Sequence, residues 1–180
     1  MRGNQIYLRA LTVEDANALL QLRQRNHPFL QPFEPLRGAN YITLEWQLQD
    51  IENSEYGAKA DQSHTFGIFD NESDELIGRI AITGIVRGPA QHANIGYFLD
   101  EAYNGKGMMT EAVGLCIKFA FEQLNIHRLQ AGVMPRNLRS ARVLEKAGFR
   151  REGLAERYIH INGVWEDHAL FAITAEEYQA

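Results

Sequence analysis

The chain has 180 residues, 45% of them hydrophobic and 23% charged, with a formal net charge of −5. That balance suits one domain around a sizeable core, and the acidic excess excludes a general binder of nucleic-acid backbone, which needs a basic face. A single cysteine excludes a disulfide framework or a cysteine metal set, and neither an apolar leader nor a membrane-length run is present, which predicts a cytoplasmic protein.

In chain order, residues 6–11 read as a first strand. Thr12 is a good N-cap, Glu14 and Asp15 suit a first helical turn, and Leu19, Leu20 and Leu22 carry a helix to about Arg25. HPFLQPFEPLRG follows. Its Pro28, Pro32 and Pro35 predict a loop rather than a regular helix, and its aromatics and Glu34 make it a candidate cleft wall. Residues 43–59 read as a second helix with Leu44, Leu48 and Ile51 inward. Residues 66–69, 76–86 and 94–99 read as strands, and a long helix comes next. A strand at 129–134 precedes a helix that starts at the cap Asn137 and ends at Gly148, a good C′ residue. Strands at 157–161 and 164–173 flank Asn162 and Gly163, a strong hairpin signal. The order β-α-α-β-β-β-α-β-α-β-β predicts an α/β (α+β) domain over residues 1–180, a mixed sheet with helices packed on it.

The rest of the chain is organised around residues 95–112, IGYFLDEAYNGKGMMTEA. A strand runs into Gly105 and Gly107, and a helix starts directly after them. Val113, Cys116, Ile117, Ala120, Phe121 and Leu124 form its apolar stripe; Cys116 therefore reads as a small core residue. Strand, glycine loop and helix together build an anion site, because the first helical N–H groups lack partners and the dipole there is positive. The loop has neither the P-loop pattern nor the three glycines of a dinucleotide site. By itself it supports a phosphate-containing ligand, or simply a tight turn before an amphipathic helix.

A second constellation narrows the function. Residues 134–153, MPRNLRSARVLEKAGFRREG, carry Asn137, Ser140, Glu145, Lys146, Gly148, Phe149, Glu152 and Gly153 in an N-x-x-S…E-K-x-G-F-x-x-E-G arrangement. Together with GYFLDEAYNGKGMMTEA, this stretch resembles the GCN5-related N-acetyltransferases (GNAT). More closely it resembles the RimJ/RimL-type ribosomal-protein-alanine N-acetyltransferases; FLQPFEP (29–35) and NGVWEDHAL (162–170) look most like the RimJ branch. Asn104 stands where the wider family has Gln or Arg, and Met109 where it has a small residue. The G-K-G form is common in the RimJ/RimL branch.

The resemblance implies a central, mostly antiparallel twisted sheet with helices on both faces. It implies acetyl transfer from acetyl-coenzyme A (acetyl-CoA) to a primary amine, without a metal. The cofactor-binding residues it implies are Tyr97, Phe98 and Leu99 along the pantetheine arm; Asn104, Gly105, Lys106, Gly107, Met108, Met109 and Thr110 around the pyrophosphate; and Asn137 and Ser140. Ser140 is the implied proton donor to the departing thiolate, one helical turn after Asn137. Lys106 reads equally as a solvated loop lysine, and Asn137 as a helix cap. The base is open. RimL-type enzymes have a glutamate where this chain has Ile159, which leaves Glu34, Glu101, His160, His168 or water; Glu34 is carried forward beside Ser140 as the catalytic pair. The acceptor implied is a protein N-terminal α-amine, with a small amine (polyamine, antibiotic or amino-acid derivative) as the alternative and a non-catalytic CoA-binding module as a third reading. Phe29, Phe33 and Trp165, flanked by Glu34, Glu166 and Asp167, are the expected acceptor walls. Neither nucleic acid nor membrane is an expected partner, and monomer and homodimer both stay open.

Overall fold

The computed structural model describes residues 1–179. Its strands are β1 (Ile6–Arg9), β2 (Ser63–Asp70), β3 (Leu76–Val86), β4 (His92–Leu99), β5 (Arg128–Val133), β6 (Arg150–Ile161) and β7 (Val164–Thr174). Its helices are α1 (Ala16–Leu30), α2 (Leu44–Lys59), α3 (Met108–Glu122), α4 (Leu138–Lys146) and a short α5 (Ala175–Gln179). The strands form one open seven-stranded sheet in the order β1-β2-β3-β4-β5-β7-β6. Every neighbouring pair is antiparallel except β4 and β5. Among the described residues no helix is long and apolar enough to cross a membrane.

Strand alternation sends successive side chains to opposite faces, and the helices sort accordingly. On one face Ile68, Ile80, Ile95, Leu129 and Phe171 pack with α3 and α4, where Val113, Cys116 and Ala120 are fully buried. Each large apolar side chain buried there contributes roughly 1.5–3 kcal/mol. On the other face Phe69, Leu76 and the partly buried Phe98 pack against Leu19 and Leu22 of α1 and Ile51 of α2. The far end of α1 is tied to the segment after β4: the buried Asn26 accepts from Glu101 N (2.9 Å), and Arg25 Nε lies 2.5 Å from Asp100 Oδ2.

The expected loop at the prolines is instead mostly helical. α1 runs through Pro28 to Leu30, and a 3₁₀ turn covers Gln31–Phe33. Pro28 has no N–H for the Gln24 carbonyl, but both residues are exposed, so water can take that carbonyl. Pro32 sits in the first turn of its helix, where an N–H has no partner anyway. In α2 the inward position goes to Gln47, fully buried and donating to Tyr41 O at 2.7 Å, while Leu44 is exposed. β6 starts at Arg150, seven residues before its expected start, because it is an edge strand exposed along almost its whole length and so lacks the alternation by which strands are read.

Candidate active site

The site begins where the sheet splits. β4 and β5 pair only at His92↔Arg128, Ala93↔Leu129 and Asn94↔Gln130. Beyond that they no longer pair, and a cavity of about 710 Å³ opens, lined by residues 95–99 of β4 and by Ala131, Gly132 and Val133 of β5. A strand turns alternate backbone polar groups to either side. Past Asn94, β4 therefore offers unpaired N–H and C=O groups to the gap.

On the α3–α4 side, Gly105 (φ +80°) and Gly107 (φ +85°) adopt the left-handed backbone that favours glycine. Gly107 is the N-cap of α3 and among the described residues no side chain caps that end, so the amides of Met108, Met109 and Thr110 lack a side-chain acceptor there. A Cβ on Gly105 would meet nothing within 4 Å, and one on Gly107 only Gln5 Nε2 at 3.9 Å, so the loop surface is open. Asn104 Nδ2 donates to Asp100 O (3.1 Å) and holds the loop's entry. Met108 and Met109 are buried, and Met109 reaches the cavity wall. Lys106 lies over the Tyr103 ring, 5.0 Å from its centroid, and does not line the cavity.

Tyr97 and Ser140 meet across the gap, Oη to Oγ at 3.1 Å. Asn137 caps α4 by accepting from Ser140 N at 3.2 Å, which fixes the serine's backbone. Burial, opposed by the hydrogen bond to Ser140, pushes the Tyr97 hydroxyl up to about 12. It is thus a neutral O–H group at every physiological pH. Burial also pushes the Cys116 thiol up to about 12, which makes it an inert core residue.

On the α1 side, Phe29, Phe33 and Glu34 line the cavity. Glu34 Oε1 accepts from Arg23 Nη1 at 2.7 Å, with side chains 21% and 8% exposed, so the pair is largely desolvated. The Arg23 guanidinium also lies over Phe98, 3.7 Å from the ring centroid. Glu34 Oε2 takes no hydrogen bond from the described residues. The β6–β7 hairpin tip closes on this segment through Asn162 N to Glu34 O (3.0 Å), and Arg136 pairs with Glu166 at 2.7 Å. His168, on β7, is 4% exposed and also lines the cavity.

The fold thus gathers Tyr97, Phe98, Leu99, Asn104, Met109, Asn137, Ser140 and Glu34 around one cavity, while Gly105, Lys106, Gly107, Met108 and Thr110 do not line it. Trp165 corrects the expected acceptor wall: it is 60% exposed, packs on His160 and, like the flanking Glu166 and Asp167, does not line the cavity. His160 is exposed with it, so of the base candidates only Glu34, Glu101 and His168 line the cavity. Arg23 is the residue that sequence reasoning missed. Its signal was there: with Leu19, Leu22, Asn26 and Leu30 it falls at i, i+3, i+4, i+7 and i+11, a charge and an amide on an apolar stripe.

A model for the acetyltransferase (GNAT) domain matches residues 5–150. The chain belongs to this family. GNAT enzymes are acetyl-CoA-dependent N-acetyltransferases, and so is this one; the open glycine loop and uncapped α3 terminus fit a phosphate-bearing cofactor on their own geometry. Among relatives, "Probable N-acetyltransferase YjcK" of Bacillus subtilis (strain 168) is 49% identical over 173 residues, 96% of either chain. The [Ribosomal protein uS5]-alanine N-acetyltransferase of Escherichia coli (strain K12) is 33% identical over 176 residues, covering 97% of this chain and 90% of its own. The solved structure of Mycobacterium smegmatis RimJ in complex with CoA-disulfide superposes with a TM-score of 0.93 at 31% identity, over 97% of this chain and 84% of that one.

Proposed function

We propose that this GNAT enzyme acetylates the N-terminal α-amine of a protein, with a ribosomal protein as the favoured acceptor and the cytoplasm as the place of reaction. The observation that carries the reading is the near-full-length likeness to the uS5-alanine enzyme. Acetyl-CoA supplies, when bound, a thioester carbonyl open to attack by an amine. The amides of Met108, Met109 and Thr110 take its pyrophosphate, on a loop shaped by Asn104, Gly105, Lys106 and Gly107. The open backbone of Tyr97, Phe98 and Leu99, with Asn137 and Ser140 opposite, holds the pantetheine arm. An amide of β4 near Phe98 or Leu99 stabilises the oxyanion. Ser140 Oγ, held 3.1 Å from Tyr97 Oη, carries the proton for the departing sulfur.

Glu34 enters this mechanism as a fixed counter-ion. Arg23 holds one of its carboxylate oxygens, and the other is left for a cationic amine. Phe29 and Phe33 beside it narrow the slot, which suits a small first residue such as Ala or Ser. The test is acetyl-CoA turnover against peptides with free N-terminal Ala or Ser, the same peptides blocked, and spermidine. The free peptides are expected to give the highest kcat/KM and the blocked ones none. A higher kcat/KM for spermidine overturns the protein-acceptor reading and keeps the transferase.

A further inference from the structure

The β4–β5 gap passes through the sheet, so its two mouths differ chemically. Tyr97 shares its strand face with Ile95 and Leu99, the face covered by α3 and α4, and Ser140 stands there with it. Gly96 and Phe98 turn to the other face, with Arg23 and Glu34. Along β7, Ala169, Phe171 and Ile173 point to the α3–α4 face, which puts His168 on the α1 face. The proton donor for sulfur and His168 thus sit on opposite sides of the reacting carbonyl's channel.

His168 is held in a defined tautomer. Its Nδ1 lies 3.0 Å from Glu166 O. A carbonyl only accepts, so Nδ1 carries the hydrogen and the neutral ring presents a lone pair at Nε2. Nε2 makes no hydrogen bond to the described residues, yet it is not one of the sealed, unpartnered polar atoms found among them. It therefore opens to accessible space, and the cavity is the space that His168 lines. The ring packs over Gly132 of β5 and is met edge-on by Tyr158, with centroids 5.9 Å apart. Tyr158 reaches it from a bulge. Ala155 pairs with His168 and Ile159 with Glu166, so three β6 residues stand against Asp167 alone. Within the bulge Arg157 has φ +48°, and its N–H is taken by Asp167 Oδ1 at 2.8 Å. A bulge of this kind re-aims side chains, and a non-glycine residue at positive φ marks backbone held in place by its surroundings.

We infer that His168 Nε2 is the proton acceptor for the attacking amine. The inference rests on the acetyl-transfer reading of the cavity but not on the acceptor's identity. The acceptor's ammonium gives one proton to Nε2, the N–C bond forms and the C–S bond breaks. His168 passes this proton to water, Ser140 Oγ protonates the departing sulfur, and the second proton lost from nitrogen goes through water back to Ser140 Oγ, so that one proton in all is released to solvent. Tyr158 from β6 meets the ring itself, and the charged groups that line the same cavity are Glu34, held by Arg23, from the α1 side, Glu101 after β4, and Arg136, paired with Glu166, and Arg139 from the α4 side.

The experiment compares wild type with His168→Gln, which keeps the shape and cannot take the proton, on whichever acceptor the wild type turns over best. The expected result is a loss of roughly 10²-fold in kcat/KM, with CoA affinity unchanged and the pH profile altered. A variant within about twofold of wild type with the same pH profile overturns the inference. Should His168→Gln melt early, His168→Ala titrated with imidazole at a temperature where it is folded decides. Recovered turnover supports the base; a flat response at saturating imidazole overturns it. Preference for a polyamine in the wild type would defeat the protein-acceptor reading alone, since the His168 comparison runs equally well on that substrate.

Discussion

The two mouths of the gap are built by different means. The α3–α4 side is local in sequence. Gly105 and Gly107 set the loop, Asn104 bonds back to Asp100, and Asn137 caps Ser140 three residues on. Much of what it offers a ligand is backbone, and backbone amides are the same whatever the side chain. That is why Asn104 and Met109 can depart from the wider family's loop without closing it. The α1 side is assembled from long-range pairs: Arg23 with Glu34 and Phe98, Arg25 with Asp100, Asn162 with Glu34, and Arg136 with Glu166. Recognition there is by side chains. A family can keep the first mouth while varying the second, which separates a shared cofactor from individual acceptors.

The largest expected effect removes the chemistry while leaving both mouths intact. Ser140→Ala deletes the hydroxyl 3.1 Å from Tyr97 Oη and keeps the helix cap at Asn137, whose partner is the backbone N–H. We expect kcat to fall roughly 10²-fold, with a far smaller loss of CoA affinity and acceptor KM nearly unchanged. Steady-state kinetics beside calorimetry check it; a kcat within about twofold of wild type would demote Ser140 to a structural residue.

Gly107→Val attacks the α3–α4 mouth alone. A β-branched side chain at φ +85° strains the backbone by about 1–3 kcal/mol, and relief of that strain turns the first amides of α3 away. Affinity for CoA should drop about tenfold or more by calorimetry, with the protein still folded by circular dichroism. Unchanged affinity would remove the glycine loop from the cofactor site.

The same contrast decides what could be read from the sequence. The stripe of α3, the glycine loop, the cap at Asn137 and the hairpin turn at Asn162 (φ +45°) and Gly163 (φ +84°) are local patterns, and local patterns were legible. The continuation of α1 through Pro28 was not, because whether a proline ends a helix depends on where the freed carbonyl points, and that is set by tertiary burial. Trp165 was expected at the cleft from its chemistry, but it stands exposed beside His160 near the hairpin tip. Arg23 was hidden by the assumption that a stripe holds only apolar residues. Its partner Glu34 lies eleven residues further along the chain, in a segment whose path cannot be read locally.

Arg23→Met breaks the α1 mouth in the way most specific to it. The unbranched thioether can still cover Phe98, so most packing survives. What disappears is the donor to Glu34 Oε1. A fully buried pair that loses one partner costs about 3–5 kcal/mol. Glu34 is 21% exposed and lines the cavity, so water can take over part of the solvation, and we expect a loss nearer about 1–2 kcal/mol. The freed carboxylate then samples several rotamers instead of one. Acceptor KM should rise by a few-fold, since about 1 kcal/mol of lost orientation is roughly fivefold, while CoA affinity stays at the wild-type value. This is the mirror image of Gly107→Val, which weakens CoA and leaves the acceptor slot as it was. If Arg23→Met weakened CoA as much as the peptide, the two mouths would not be separable, and Glu34 would be a structural brace for the whole cavity rather than the acceptor's counter-ion.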